Sequence, residues 1–418
     1  VCIGPAGDPV SDIITWQDRS AVEEADELRN IVAGFEKDGT SYEAKLLRAV
    51  RENPGWSGPG HTVLYPKDYV VFLLTGERII DCSAASTIYF YMPPSYTGTD
   101  GMELVPESIL PRGINPWEAA GKTGTKFSRE CGLPGGVPLY GGGIDAFCEA
   151  VGAGGAVEGV VVEGTGTSTC ISLCSALPED AASGKRYDLH VLQGKRISIE
   201  MMSYTGGSVL WYLDLLSGES GGDQKKQDQR KIMVRSVRPE TPTPLLFLPY
   251  LRGERSPVWD EKARGAFIGL SDRNDAAELF QSILQGVAFG IRQNLSLLEE
   301  KTGLKAEIVS AAGGGSESMA WLQIKADVTG RRYRKSGITA TAAFGSALIA
   351  AAAEEKADPA ELYAKYVVDW EEVLPEKKRH RWYSELYNEY GKIYGLLKPI
   401  FHRQTQLKEV EDRYAQNE

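Results

Sequence analysis

Gly141-Gly142-Gly143-Ile144-Asp145-Ala146 and, further on, Val160-Val161-Val162-Glu163-Gly164-Thr165-Gly166-Thr167-Ser168-Thr169 decide how this chain reads. The first segment sets one carboxylate, Asp145, one residue after three glycines and at the head of an expected helix. The second is a β-branched strand that breaks into a glycine–hydroxyl turn and resumes as Cys170-Ile171-Ser172-Leu173. Such a tip can aim backbone N–H groups and hydroxyls at phosphate oxygens. A carboxylate beside a glycine-rich turn can take a proton from a hydroxyl. Together they point to phosphoryl transfer from a nucleotide to an alcohol. A plain hairpin beside an Asp-capped helix explains the same residues, and on these residues alone both readings stand.

Composition narrows the field. The 418 residues, 42% hydrophobic and 25% charged, match a soluble globular protein, and the length implies two domains. A net charge of -11 argues against nucleic acid or an anionic membrane as the main partner, although it leaves room for a local basic pocket. The six cysteines form no Cys-x-x-Cys pair and the four histidines no ligand-like spacing. Free thiols in a reducing, cytoplasmic compartment are therefore expected, rather than a metal site or disulfides. No run is long and apolar enough to span a bilayer. Val1 stands where an initiator Met would, which leads us to expect chain upstream of it.

Strand and helix signals alternate along the chain, the pattern of the α/β class. Strand structure is expected around Ile13-Ile14-Thr15-Trp16, and helices over Ser20–Phe35, Tyr42–Arg51 and Lys67–Thr75, the last stopped by Gly76. Residues 218–231 read as an exposed Gly/Gln/Lys loop, and the Lys225-Lys226 and Lys377-Lys378-Arg379 charges as solvated surface. Ala276–Glu299 reads as the longest helix, with Leu279, Ile283, Val287, Ile291, Leu295 and Leu298 as its buried stripe. A strand Ile308–Ala312 runs into Gly313-Gly314-Gly315, followed by a helix from Ser318. The reading ends with a helix Lys377–Leu397 and a polar tail over 404–418.

These segments resemble the FGGY carbohydrate kinases. The most specific match is Gly265-Ala266-Phe267-Ile268-Gly269-Leu270, seven residues, then Glu278-Leu279-Phe280-Gln281-Ser282-Ile283-Leu284-Gln285, the form of that family's second signature. Further matches follow in order: Lys67-Asp68 with Leu74-Thr75-Gly76, Asp81 and Ser83 with Ala85-Ser86, Gly142-Gly143 with Asp145, Gly166-Thr167-Ser168, Glu254-Arg255-Ser256-Pro257, Gly313-Gly314-Gly315, and Gln323 with Ala326-Asp327. The likeness spans nearly the whole chain.

The resemblance implies two actin-like, ribonuclease-H-like domains with an interdomain active-site cleft. We expect a sugar-side domain over 1–156, incomplete at its start, and an ATP-side domain over 157–403. It implies ATP and Mg²⁺ as cofactors, a small sugar as substrate, and a homodimer as the expected assembly. Carried over by position, Asp145 is the catalytic base. Trp16, Asp18 and Asp145 bind the sugar. Gly166, Thr167, Ser168, Gly206, Gly313, Gly314 and Ser318 bind ATP. The metal ligands stay unassigned. The expected acceptor is a ketopentose such as xylulose, with glycerol, gluconate or another polyol as alternatives. A non-catalytic sugar- or nucleotide-binding relative and an actin-like nucleotide hydrolase are the competing readings. The family's opening phosphate hairpin, Asp-x-Gly-Thr-Thr or similar, has no counterpart here. Arg19 stands one residue after Asp18, where the family often has an Arg two residues on. Arg48 takes a position usually held by Trp.

Overall fold

The computed structural model describes residues 1–15, 18–32, 39–88, 104–178, 187–217 and 231–415. Trp16, the segment 91–103, the Lys225-Lys226 pair and nearly all of the 218–231 loop lie outside the described residues. Two compact units interleave along the chain. One comprises Val1–Cys148, Ala176–Ile197 and Ala342–Leu362, the other Glu149–Ser175, Ser198–Thr341 and Tyr363–Glu418. The boundary expected at 156/157 therefore falls inside the second unit's first segment.

The first unit is built from short elements. Strand β1 (Cys2–Ile3) pairs antiparallel with β2 (Thr62–Val63), and β3 (Ile79–Asp81) pairs parallel with β4 (Arg112–Ile114). No strand forms at Ile13-Ile14-Thr15; both isoleucines are exposed and find no ladder partner among the described residues. A β-branched run satisfies its backbone as a strand only beside another strand. Helix α1 covers Val22–Ile31, and α2 covers Tyr42–Glu52, started by Ser41, whose Oγ accepts from Ala44 N at 3.2 Å. Leu28, Leu47, Trp56, Ile80 and Ile109 gather into this unit's core. Helix α3 (Pro66–Thr75) has Pro at its first position and Gly76 at φ 83 after its last, the expected stop. Asp81 caps α4 (Cys82–Ser86) through the Ala84 N–H at 3.0 Å.

Strands β5 (Ala119–Lys122) and β6 (Pro138–Tyr140) then form an antiparallel pair with α5 (Lys126–Glu130) between them in sequence. Helix α6 (Asp145–Gly152) follows the three glycines. Its preceding strand ends at Tyr140, and Asp145 opens the helix as expected.

The second unit carries a six-stranded sheet. Strands β7 (Val160–Thr165), β8 (Thr169–Ala176), β9 (Lys195–Met202), β12 (Ile308–Ala312), β13 (Arg332–Ser336) and β14 (Trp370–Val373) lie in the order β14-β13-β12-β7-β8-β9. The β7–β8 pair is antiparallel, while β12 is parallel to both β7 and β13. This is the α/β, ribonuclease-H-like sheet the resemblance leads one to expect. Because β7 and β12 are parallel neighbours, with Gly164 opposite Ala312, the loops after them leave the sheet on the same edge. Ligands of open α/β sheets bind at that carboxyl edge.

Helix α7 (Gly206–Ser217) follows β9, and a hairpin of β10 (Leu246–Leu248) and β11 (Ala266–Ile268) precedes α8 (Ala276–Thr302). The α8 start is a capping box between Asp275 and Glu278. Its expected stripe is buried from Ile283 to Leu298, with Leu279 partly exposed. A Cβ at Gly286 would overlap the Phe247 carbonyl, so glycine there lets α8 lie directly on β10. Then come α9 (Met319–Thr329), α10 (Thr341–Glu355), α11 (Pro359–Tyr366) and α12 (Lys377–Ala415). At 39 residues α12 is longer than α8, which has 27, and its helix runs past Leu397 through the segment read as a polar tail.

Candidate active site

Three loops of the second unit meet at the carboxyl edge of β7 and β12. The first is the tip between β7 and β8, closed by Gly166 N donating to Ser168 O at 2.9 Å. The second opens α7: Thr205 N and Gly207 N both donate to Thr167 O, at 2.9 and 3.0 Å. Here glycine at 206 is a steric necessity, because a Cβ would collide with the Gly166 carbonyl. The third loop follows β12. Gly313 takes φ 71 and ψ -178, and a Cβ on it would stand 2.7 Å from Thr165 O. Gly314, its neighbour, faces open space, with nothing within 4 Å of where a Cβ would be. Ser318 caps α9 by accepting from Trp321 N at 3.3 Å. The structure thus brings Gly166, Thr167, Ser168, Gly206, Gly313 and Gly314 into one neighbourhood, although they lie far apart in sequence.

Beside Thr167 opens a concavity of about 460 Å³, lined also by Tyr204, Gly207, Leu210, Trp211, Asp214, Leu215 and Arg252. The Arg252 guanidinium stacks on the Tyr204 ring at 4.6 Å. Apart from Thr167, sequence reading named none of these as site residues. The signal was present on α7, where Leu210 and Leu215 are 47% and 63% exposed: an apolar helix face left open beside a turn of hydroxyls and glycines.

The first unit holds the candidate base. Asp145 is exposed at the head of α6, and its Oδ1 accepts from Ala146 N at 2.8 Å. Of the glycines before it, Gly141 and Gly143 are wedged in place, a Cβ on Gly141 standing 2.9 Å from Asn115 O. A Cβ on Gly143 would clash with Val191 Cγ1, with Cys148 Sγ and Ser83 Oγ next nearest at 3.4 and 3.5 Å. Ser83 in turn donates to the buried Asp81. Lys67 Nζ lies 2.5 Å from Asp68 Oδ1 and 2.6 Å from Asp81 Oδ2, and both carboxylates are fully buried. Burial pushes the Asp68 carboxyl up to about 6 even with Lys67 beside it. The Lys67-Asp68 and Asp81-x-Ser83 motifs therefore brace the glycine loop that presents Asp145, and Asp145 alone of this group stands in the open.

Of the other sugar-side residues, Asp18 is described and Trp16 is not. Asp18 Oδ1 accepts from Ser20 N at 2.8 Å and Ser20 Oγ at 2.5 Å, and these bonds hold its carboxyl below the usual range. Ser20, expected within α1, is thus drawn into a turn ahead of it. Glu254, in the Glu-Arg-Ser-Pro motif, is buried, which pushes it up to about 7 despite bonds from Ser203 N at 2.5 Å and Arg255 N at 2.8 Å.

With this geometry in view, comparison with known proteins is informative. Residues 162–354 match the C-terminal domain model of the FGGY family of carbohydrate kinases. A xylulose kinase of Staphylococcus xylosus is 24% identical over 94% of this chain and 83% of its own. One of Bacillus subtilis is 28% identical over 85% of this chain and 71% of its own. The crystal structure of xylulose kinase from Rhodospirillum rubrum superposes with a TM-score of 0.80 at 27% identity, covering 96% of this chain and 83% of that one.

Proposed function

We propose that this chain is a carbohydrate kinase of the FGGY family, whose C-terminal domain model it matches over residues 162–354, and that it transfers the γ-phosphoryl group of ATP to a hydroxyl of a ketopentose such as xylulose. The observation that carries the nucleotide half is the meeting of three glycine-bearing loops at the carboxyl edge of two parallel strands. Backbone N–H groups and the Thr167 and Ser168 hydroxyls of that edge suit phosphate oxygens. Gly314 leaves room for adenosine to approach the backbone closely. The concavity beside Thr167 extends this surface.

On the sugar side, Asp145 serves as base. Its exposure at a rigid helix head suits a group that must orient an incoming hydroxyl and relieve it of its proton late in the transfer. Asp18 and Trp16 complete the sugar contacts in this reading. Each hydroxyl acceptor left unpaired by a wrong epimer costs about 1–3 kcal/mol, enough to discriminate between ketopentoses. Mg²⁺ accompanies ATP. Among the described residues no group of three His, Cys, Asp or Glu side chains is placed to hold a metal ion. We place the enzyme in the cytoplasm, the reducing compartment that thinly spread cysteines without a Cys-x-x-Cys pair suit.

A coupled ADP-release assay over ketopentoses, pentitols, hexuloses, gluconate and glycerol tests the proposal. Xylulose or ribulose should be turned over best. Preference for glycerol or gluconate would replace the ketopentose and keep the kinase. Absence of any sugar-stimulated ADP release would remove the kinase reading itself.

A further inference from the structure

Behind the β7–β8 tip lies a charged pair that the transfer reaction does not call for. Glu163 on β7 and Lys325 in the middle of α9 are both fully buried, and Lys325 Nζ stands 2.9 Å from each Glu163 carboxylate oxygen. The Trp321 ring covers the ammonium at 4.4 Å. Breaking such a pair strongly destabilises a fold, yet replacing both partners with apolar residues is often harmless. Stability therefore gives little reason to keep it, and its surroundings suggest another.

Glu163 Oε1 accepts from the Thr165 hydroxyl, two residues along the same face of β7. Thr165 Oγ1 is 2.8 Å from Thr169 Oγ1, and Thr169 Oγ1 is 2.7 Å from Thr205 Oγ1. All three threonines are buried. A carboxylate paired with an ammonium can only accept, so Thr165 must donate to it. Thr165 then accepts from Thr169, and Thr169 from Thr205. One charge thus sets the direction of the whole chain of hydrogen bonds.

The chain ties together the three loops described above. Thr165 and Thr169 face each other at the two ends of the 166–168 tip. Thr205 immediately precedes α7, and its N–H holds Thr167 O. The Thr165 carbonyl and methyl fill the spaces that a Cβ would need on Gly313 and Gly315.

We propose that Glu163 and Lys325, acting through Thr165, Thr169 and Thr205, are positioning residues that lock the three loops in register for the nucleotide phosphates. The proposal rests on the reading of those loops as the nucleotide site. Neither charged residue touches the nucleotide.

The test compares Thr165→Val, Thr165→Ser and the paired change Glu163→Leu with Lys325→Met, which removes the charge without stranding a partner. Readouts are ADP affinity by calorimetry, KM for ATP against kcat, sugar affinity and melting temperature. Thr165→Val and the paired variant should fold, bind sugar normally, and lose about tenfold or more in ADP affinity and KM for ATP, the order expected for losing one charge-assisted hydrogen bond. Thr165→Ser, which keeps the hydroxyl, should recover to within about threefold. Should the paired variant fail to fold, Thr165→Val alone decides, since it leaves the ion pair intact. If folded variants bind ADP as the wild type does, the positioning role is wrong and the nucleotide reading stands. If wild-type protein binds no adenine nucleotide, both fall together.

Discussion

Alanine at Gly313 and alanine at Gly314, adjacent residues on one loop, should fail in opposite ways. Gly313 holds φ 71 and ψ -178, a region that side chains other than glycine scarcely enter. A methyl there would also stand 2.7 Å from the Thr165 carbonyl oxygen, inside any real Cβ contact. Backbone strain of about 1–3 kcal/mol and overpacking of about 1–3 kcal/mol sum to roughly 2–6 kcal/mol. For a cooperative unit of this size that lowers Tm by roughly 5–20 °C. Gly314 has nothing within 4 Å of its Cβ direction and an ordinary φ. Alanine there should leave Tm unchanged or raise it slightly, by restricting the unfolded chain by about 0.4–1 kcal/mol. If adenosine lies on that surface, the added methyl takes the ligand's place, and KM for ATP should rise about tenfold or more while kcat at saturating ATP holds. Thermal melts read the first effect and a coupled kinase assay the second. A Gly314→Ala enzyme with unchanged KM for ATP would take the nucleotide off this loop. A Gly313→Ala protein melting with the wild type would refute the strain argument.

Asp145→Asn keeps the shape and the Ala146 contact but loses basicity; kcat should fall by roughly 10²–10⁴ with ATP affinity little changed, and turnover within a few-fold of wild type would dismiss Asp145 as base. Thr167→Val removes a hydroxyl from the tip while its carbonyl, which holds Thr205 and Gly207, stays; ATP binding measured by calorimetry should weaken with sugar binding intact, and normal ATP affinity would reduce the tip to a hairpin. Glu254 gives a pH signature. Its folded pKa of about 7 lies above its unfolded value of 4.5, so its contribution to stability is full below pH 4.5 and is lost as pH rises through about 7. That loss amounts to up to about 3 kcal/mol. Urea unfolding of Glu254→Gln should therefore show a flatter pH dependence than wild type between pH 5 and 8, and parallel curves would show that Glu254 does not titrate in this range.

Much of the fold was legible because its local rules agree. The Gly76 stop, the helix opening at Ser318 and the stripe of α8 each combine a pattern with a terminator, and all form as expected. The failures come where a distant partner decides. Ile13-Ile14 has the composition of a strand but no neighbour to pair with among the described residues. The C-terminal helix, expected to end at Leu397, runs on through Pro399, although proline in a helix interior removes a donor and crowds the carbonyl four residues back.

The two halves of the candidate site differ in legibility for a physical reason. A phosphate surface made of backbone leaves a mark on the sequence, because backbone approaches closely only where side chains are absent. Gly166, Gly206, Gly313 and Gly314 are that mark, and the structure brings them together. What fixes the surface in place is made of side chains, and these carry no such mark. Nothing beside Lys325 in the sequence marks it as buried, and only its position across from Glu163, 162 residues earlier, reveals the pair. The same holds for Asp145. The glycines before it announce a tight turn, but Val191 and Ser83, which hold that turn, come from elsewhere in the chain. A ketopentose is told from its epimers by side chains of this second kind. Exchanging residues around Asp18 and Asp145 should accordingly shift preference among sugars, whereas changes to the glycine loops should weaken ATP use for every sugar alike.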